Sequence, residues 1–207
     1  ACNIWVKDFG LLQTSSPTRY IRGEVIHMPE LNPALKCLTP RFEYWDTTGY
    51  YTNLYERNGM MKTEKKSDHN ITISVSGEMR NEKQIPGGVS YKVSHTILDN
   101  SIIKSLTLKY HDNQPMISIV EPIISKDGLV VNQINERQVE IKYLEKIFLF
   151  EVHSGNIVIE LGKDKENFWQ PFPAVKTYPI VLKVIPPVNV FEDENYKTEI
   201  VYSFTIK

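Results

Sequence analysis

Two groupings of aromatic residues carry the clearest chemistry in this chain. Tyr44, Trp45, Tyr50, Tyr51 and Tyr55 surround Asp46-Thr47-Thr48-Gly49, a turn sequence, and Phe168-Trp169-Gln170-Pro171-Phe172-Pro173 forms a proline-bearing loop. Aromatic rings present flat apolar faces with a polar rim, and such faces stack on sugars while nearby Asp, Asn, Gln and Glu bind hydroxyl groups. Trp45, Tyr50, Tyr51, Phe168 and Trp169 are therefore the expected ligand contacts. The competing reading makes the same rings plugs at the ends of the core.

Glu121 is the carboxylate that stands out. It sits in Ile117-Ser118-Ile119-Val120-Glu121-Pro122-Ile123-Ile124, where an unpaired charge among apolar neighbours is costly, so a functional role is open. Pro122 beside it favours a strand edge or bulge from which Glu121 points to water. Glycoside chemistry needs two facing carboxyl groups about 5–10 Å apart, a separation that chain spacing does not reveal.

Other catalytic signatures are missing. None of the histidines (His27, His69, His95, His111 and His153) stands at HxH, HxxxH or HExxH spacing. GxSxG, GxGxxG and P-loop patterns are absent, so no cofactor and no metal are expected, and the catalytic residues of any reaction stay unknown. Cys2 and Cys37 are the only two cysteines, too few for a four-ligand zinc site. Ala1-Cys2 matches what remains when a chain is cut one residue before a lipid-attachment cysteine. A Cys2–Cys37 disulfide is the rival, closing a loop of about 35 residues and contributing about 3–4 kcal/mol on the chain-entropy model. Two buried free thiols are the third reading. Asn70-Ile71-Thr72 forms an N-glycosylation triplet, but it opens an alternating strand and counts for little.

These residues must be positioned by strands. Ile71, Ile73 and Val75 alternate with Thr72, Ser74 and Ser76, and Val89, Tyr91, Val93, His95 and Ile97 share one face of the next run. Ile85-Pro86-Gly87-Gly88 reads as the turn between them. Further strands are expected over 102–110, 115–124, 129–131, 138–143, 146–152, 156–161, 179–185 and 198–206, with Ser154-Gly155 as a tight hairpin. Residues 31–35 and 163–167 are the best helical candidates, and both are short. Strands this closely spaced leave no room for crossover helices, so pairing is antiparallel. The expected fold is an all-β, two-layer antiparallel sandwich of roughly a dozen strands.

The 207 residues suit one domain, expected to cover 1–207. Its first 68 or so residues carry Pro17, Pro29, Pro33 and Pro40 and read as a looser part that covers or extends the sandwich. There 19–28 and 50–61 look like strands, and 62–69 looks like an exposed loop. The composition is 41% hydrophobic and 24% charged, ordinary for a globular protein, and no apolar run is long enough for a transmembrane helix. A formal net charge of -1 argues against a broad polyanion-binding face, so nucleic acid is not an expected partner. Oligomeric state is not legible.

The stretch from Ile71 to Leu161 resembles the galactose-mutarotase-like super-sandwich modules of extracellular bacterial carbohydrate-processing proteins. The likeness is carried by Val89-Ser90-Tyr91-Lys92-Val93 leading into Ile102-Ile103-Lys104-Ser105-Leu106, by Ile119 to Ile124, and by the paired strands ending at Leu161. It is one of strand rhythm and carries over no catalytic residue. It implies a carbohydrate context and a secreted or cell-surface location. The expected function is a secreted or lipid-anchored carbohydrate-binding or accessory module. An enzyme of lyase or epimerase type is the alternative, and a protein-interaction module that uses open strand edges is a further one.

Overall fold

The computed structural model describes residues 3–15, 36–111, 114–163, 165, 168, 176–186 and 196–207. Its described elements are strands, apart from a single 3-10 turn at Asn53–Tyr55. A short hairpin opens the chain, β1 (Ile4–Val6) and β2 (Gly10–Gln13). Next come β3 (Arg41–Asp46), β4 (Gly49–Thr52) and β5 (Met60–Ser67). Three long neighbours follow, β6 (Asn70–Arg80), β7 (Pro86–Ile97) and β8 (Ser101–Tyr110). The chain continues through β9 (Ile117–Ser125), β10 (Val130–Asn135), β11 (Gln138–Tyr143) and β12 (Lys146–Ser154). It ends with β13 (Ile157–Leu161), β14 (Lys176–Val184) and β15 (Tyr196–Ile206).

The all-β, antiparallel expectation holds, but the layering differs from two stacked sheets. Apart from the β1–β2 hairpin, the strands hydrogen-bond into one path, β10-β11-β12-β15-β8-β7-β6-β4-β3-β9-β14-β13, with β5 pairing on β6. This single sheet curves until it nearly closes, like a barrel. The physical hinge is narrow, because β4 pairs with β6 only at Thr52↔Arg80. On either side of that seam the two halves face each other over one core. Phe148, Phe150, Ile200 and Leu106 come from one half and Ile117, Ile119, Ile180 and Leu182 from the other. The β1–β2 hairpin adds Ile4, Phe9 and Leu12 to the same cluster.

Alternation explains most strands, and its failures explain the rest. Leu106, Leu108 and Tyr110 of β8 are buried, with half-exposed or exposed residues between them. β9 is buried from Ile117 to Ile124 because both of its faces are covered. Ile117, Ile119 and Ile123 face the main core, while Val120 and Ile124 pack with Leu38, Phe168 and Val181 on the other side. β9 lies between β3 and β14, so the edge position suggested by Pro122 is corrected. Pro122 pairs with Pro179, and neither can donate a ladder bond. The pair must therefore be of the non-hydrogen-bonded kind, its missing N–H groups turned outward, where the β3 pairing has already ended at Val120.

Three further expectations are revised. Residues 62–69 were expected as a loop, but most of them belong to β5, exposed along its whole length, so no burial pattern marks it as a strand. The run 50–61 is broken by the 3-10 turn, whose cap is Thr52 Oγ1 accepting from Leu54 N–H at 3.3 Å. The turn before β7 falls at Asn81–Ile85, where Gln84 has φ 68°, and Gly87 belongs to the strand. Gly87 is required there because a Cβ would collide with the Tyr44 hydroxyl and the Tyr51 ring. The expectations over 19–28 and 31–35 lie outside the described residues, and the one over 163–167 falls mostly outside them.

Candidate functional site

The Arg41–Asp46 strand alternates strictly. Phe42 and Tyr44 enter the core, and Arg41, Glu43 and Trp45 share the opposite, outer face. Register places Tyr50 of β4 directly opposite Trp45, and the two rings lie 4.4 Å apart, tilted by 34°. The Tyr50 hydroxyl donates to Glu43 Oε2 at 2.7 Å, and Arg41 Nε donates to the same oxygen at 2.5 Å. Arg41 Nη1 continues inward to the Cys37 carbonyl at 3.1 Å and lies 3.8 Å from its thiol sulfur. The outer ring of the rim therefore stands on a buried polar column.

Electrostatics keep that column in one protonation state. Burial is the largest single influence and works against the Arg41 charge, but Glu43, Cys37 and Tyr50 together outweigh it and hold the guanidinium above its usual value. Burial and then the Glu43 charge raise the Tyr50 hydroxyl, which keeps its proton and stays a donor to the carboxylate. At the turn, Asp46 accepts from the Thr48 hydroxyl at 2.6 Å, the Thr48 amide at 2.7 Å and the Gly49 amide at 3.1 Å. Those bonds, led by the hydroxyl, lower its pKa and leave an exposed carboxylate beside the indole.

The expected contacts divide sharply. Trp45 is 60% exposed, and Tyr50 is half-buried beneath it with Tyr55 edge-on at 6.0 Å. Tyr51 is a correction as a surface contact: it is buried, stacked on Tyr44 at 5.0 Å and 12°. Phe168 is a second correction, since its ring is sealed beneath Lys36 and Arg41. Trp169 and Cys2 lie outside the described residues. Cys37 is a buried free thiol.

Glu121 is corrected as a water-facing group. It is 2% exposed and points into the core, bound by Lys104 Nζ at 2.7 and 2.9 Å, the Tyr202 hydroxyl at 2.6 Å and Gln13 Nε2 at 2.5 Å. The third Lys104 donor reaches Gln13 Oε1 at 3.3 Å, so the ammonium is fully satisfied. His95, opposite Lys104 in register, is pushed down to about 4, by burial first and then by the Lys104 charge, with Glu121 opposing. The Lys104, Glu121, Tyr202 and Gln13 groups thus spend their hydrogen bonds on one another inside the core.

The other histidines are placed singly. His69 meets Asp99 at 2.6 Å, His111 meets Ser90 at 2.9 Å, and His153 meets Ser203 at 2.9 Å. His27 lies outside the described residues. Among the described residues no three His, Cys, Asp or Glu side chains gather to hold a metal. A shallow open depression is lined by Arg137, Gln138, Glu151 and His153, but Gln138 donates to Glu151 at 2.8 Å and Arg137 to the Gly155 carbonyl at 3.1 Å. Its polar groups thus bond to one another instead of converging on an enclosed point.

Reasoning from sequence missed Arg41 and Glu43. The signal was available, because residues two apart on a strand share a face, and both stand in step with Trp45. It also passed over Trp5, which is 67% exposed on the β1–β2 hairpin.

The described residues thus form an antiparallel sheet wrapped around a shared core, with an exposed indole standing on a buried polar base. The chain belongs to the Ulvan lyase C-terminal domain family, whose model matches residues 2–196. No curated protein sequence matches the chain. The family supplies the carbohydrate context of the resemblance noted above, without extending to the galactose-mutarotase-like fold. Among the described residues no helix is long and apolar enough to cross a membrane.

Proposed function

We propose that this chain is a carbohydrate-binding accessory module of an extracellular polysaccharide lyase, and that Trp45 is its principal contact. The observation that carries the reading is the mounting of Trp45: 60% exposed and against Tyr50, whose hydroxyl donates to Glu43, which Arg41 holds in turn. A ring that is rigid before binding loses little side-chain entropy on contact. Its exposed face suits the axial C–H bonds of a pyranose, while the exposed carboxylate of Asp46 stands beside it for sugar hydroxyl groups. The family is named for the C-terminal domain of ulvan lyases, which supports a role in holding the polymer near a catalytic partner. A single-domain reading is supported by the larger core cluster, whose members run from Ile4 to Phe204.

Affinity electrophoresis with ulvan and a panel of other polysaccharides tests this. Retardation of the wild type that is lost in Trp45→Ala supports it. Equal retardation of both proteins would move the contact elsewhere. The lyase-type alternative, catalysis by this chain itself, is tested by the appearance of unsaturated products from the same polysaccharides.

A further inference from the structure

Asn58-Gly59 is the one place in the sequence where glycine follows asparagine. An asparagine side-chain carbonyl carbon can close a five-membered ring with the next backbone nitrogen, and a glycine there, with no Cβ, leaves that nitrogen unhindered. Both residues are exposed and lie between the 3-10 turn at Asn53–Tyr55 and the start of β5 at Met60. Among the described residues no hydrogen bond holds the Asn58 side-chain amide or the Gly59 N–H. The two reacting groups are therefore free to meet.

The surroundings of this dipeptide hold the sheet together. The Asn58 backbone N–H donates to Glu56 Oε1 at 2.6 Å, while Glu56 Oε2 accepts from the Glu78 N–H and Arg80 Nε, each at 3.0 Å. Arg80 Nη2 also donates to Glu78 Oε2 at 2.8 Å. Burial works against the Glu56 charge, but the Asn58 and Glu78 amides and the Arg80 guanidinium outweigh it and hold the carboxyl below its usual range. Arg80 is the residue through which β6 pairs with β4, opposite Thr52. Glu56 thus clamps the loop onto the seam between the two halves of the sheet. Gly59 lies close against β6, since a Cβ there would stand 3.2 Å from the Ser76 carbonyl oxygen. Tyr55, the residue before Glu56, stands edge-on to Tyr50, so the same loop abuts the mounting of Trp45.

We propose that Asn58 is a site of spontaneous deamidation, and that its products loosen the Glu56–Arg80 clamp at the seam. The Gly59 nitrogen gives up its proton to solvent base and attacks Asn58 Cγ. A C–N bond forms, the bond from Cγ to the side-chain nitrogen breaks, and ammonia leaves with a solvent proton. Water then opens the succinimide at either carbonyl, giving aspartate or isoaspartate, and no oxidant or reductant is consumed. Aspartate sets a third carboxylate beside Glu56 and Glu78, where like charges repel. Isoaspartate also lengthens the main chain by one methylene just ahead of Met60↔Ser76, the first pair between β5 and β6.

The test ages wild type and Asn58→Gln at mildly alkaline and mildly acidic pH, then measures peptide masses and melting temperatures, with fresh Asn58→Asp alongside. The wild-type peptide that contains Asn58 should gain one mass unit, faster in alkali, and separate into two products. One of them should accept a methyl group from an isoaspartyl methyltransferase. Asn58→Gln should gain nothing there, because its ring would need one more atom. Aged wild type and fresh Asn58→Asp should both melt below fresh wild type, and aged Asn58→Gln should melt no lower than when fresh. In a Glu56→Gln background the change Asn58→Asp should lower the melting temperature less, the coupling that a double-mutant cycle reads. No mass gain at Asn58 overturns the proposal, and so does a mass gain that leaves the melting temperature unchanged. An undiminished loss in the Glu56→Gln background overturns it too, since the clamp would then not be what responds.

Discussion

Lys104 and Glu121 are separated by four strands along the sheet, yet Nζ and Oε2 meet at 2.7 Å. The contact crosses the core from β8 to β9 and ties the two halves of one curved sheet together. The Tyr202 hydroxyl and the Gln13 amide complete it from β15 and β2. A charge pair in this position defines which faces of the sheet may meet, because any other register leaves one charge buried and alone.

Removing one member should therefore be severe. Glu121→Gln keeps the shape but strands the Lys104 charge, and urea denaturation should show a loss of about 3–5 kcal/mol. The double variant Lys104→Met/Glu121→Leu should lose much less, since no unpaired charge remains. Equal losses in both would mean that packing, not charge, governs this point.

His95 gives the protein an acid-sensitive component. Its folded pKa of about 4 lies below the usual 6.5, so the unfolded chain binds more protons between those values. This contribution to stability is complete above pH 6.5 and is lost as pH falls toward 4. Chemical denaturation of wild type and His95→Gln across that window checks it. The wild type should lose stability more steeply than the variant, and parallel curves would contradict the burial of a neutral imidazole.

Gly87 tests the close approach of β7 to the aromatic stack. Gly87→Ala would drive a methyl group into the Tyr44 hydroxyl and the Tyr51 ring, and overpacking of this kind costs about 1–3 kcal/mol. Gly128→Ala meets no atom within 4 Å and isolates the separate penalty of a positive φ. Thermal melts of the two variants should show the larger drop for Gly87→Ala.

Amide hydrogen exchange should separate the strands by depth. β8 and β9 should exchange slowest because both lie inside the sheet beside the core, while the outer amides of β5 should exchange first. Slow exchange along all of β5 would show that its free edge is covered in solution.

How far the sequence reached follows from what strands reveal and conceal. Alternation identified β6, β7, β8, β11 and β12 because each buries one face. It could not identify β5, which buries neither, and it left Glu121 ambiguous because β9 buries both. The wrapping of the sheet was out of reach, since it depends on the single Thr52↔Arg80 pair that joins the halves. For the candidate site, residue type pointed to Trp45 but could not distinguish it from Tyr51. One residue's difference in parity on β4 sends Tyr50 outward and Tyr51 into the core.

The central claim is that Trp45 is a ligand contact and not a structural ring. The most direct measurement is calorimetric titration of wild type and Trp45→Ala with ulvan oligosaccharides, paired with urea denaturation of both. The account predicts that binding disappears in Trp45→Ala while stability changes by less than about 1 kcal/mol, as for a surface substitution. Unchanged binding would contradict it, and so would a stability loss of about 3–5 kcal/mol, the mark of a buried aromatic.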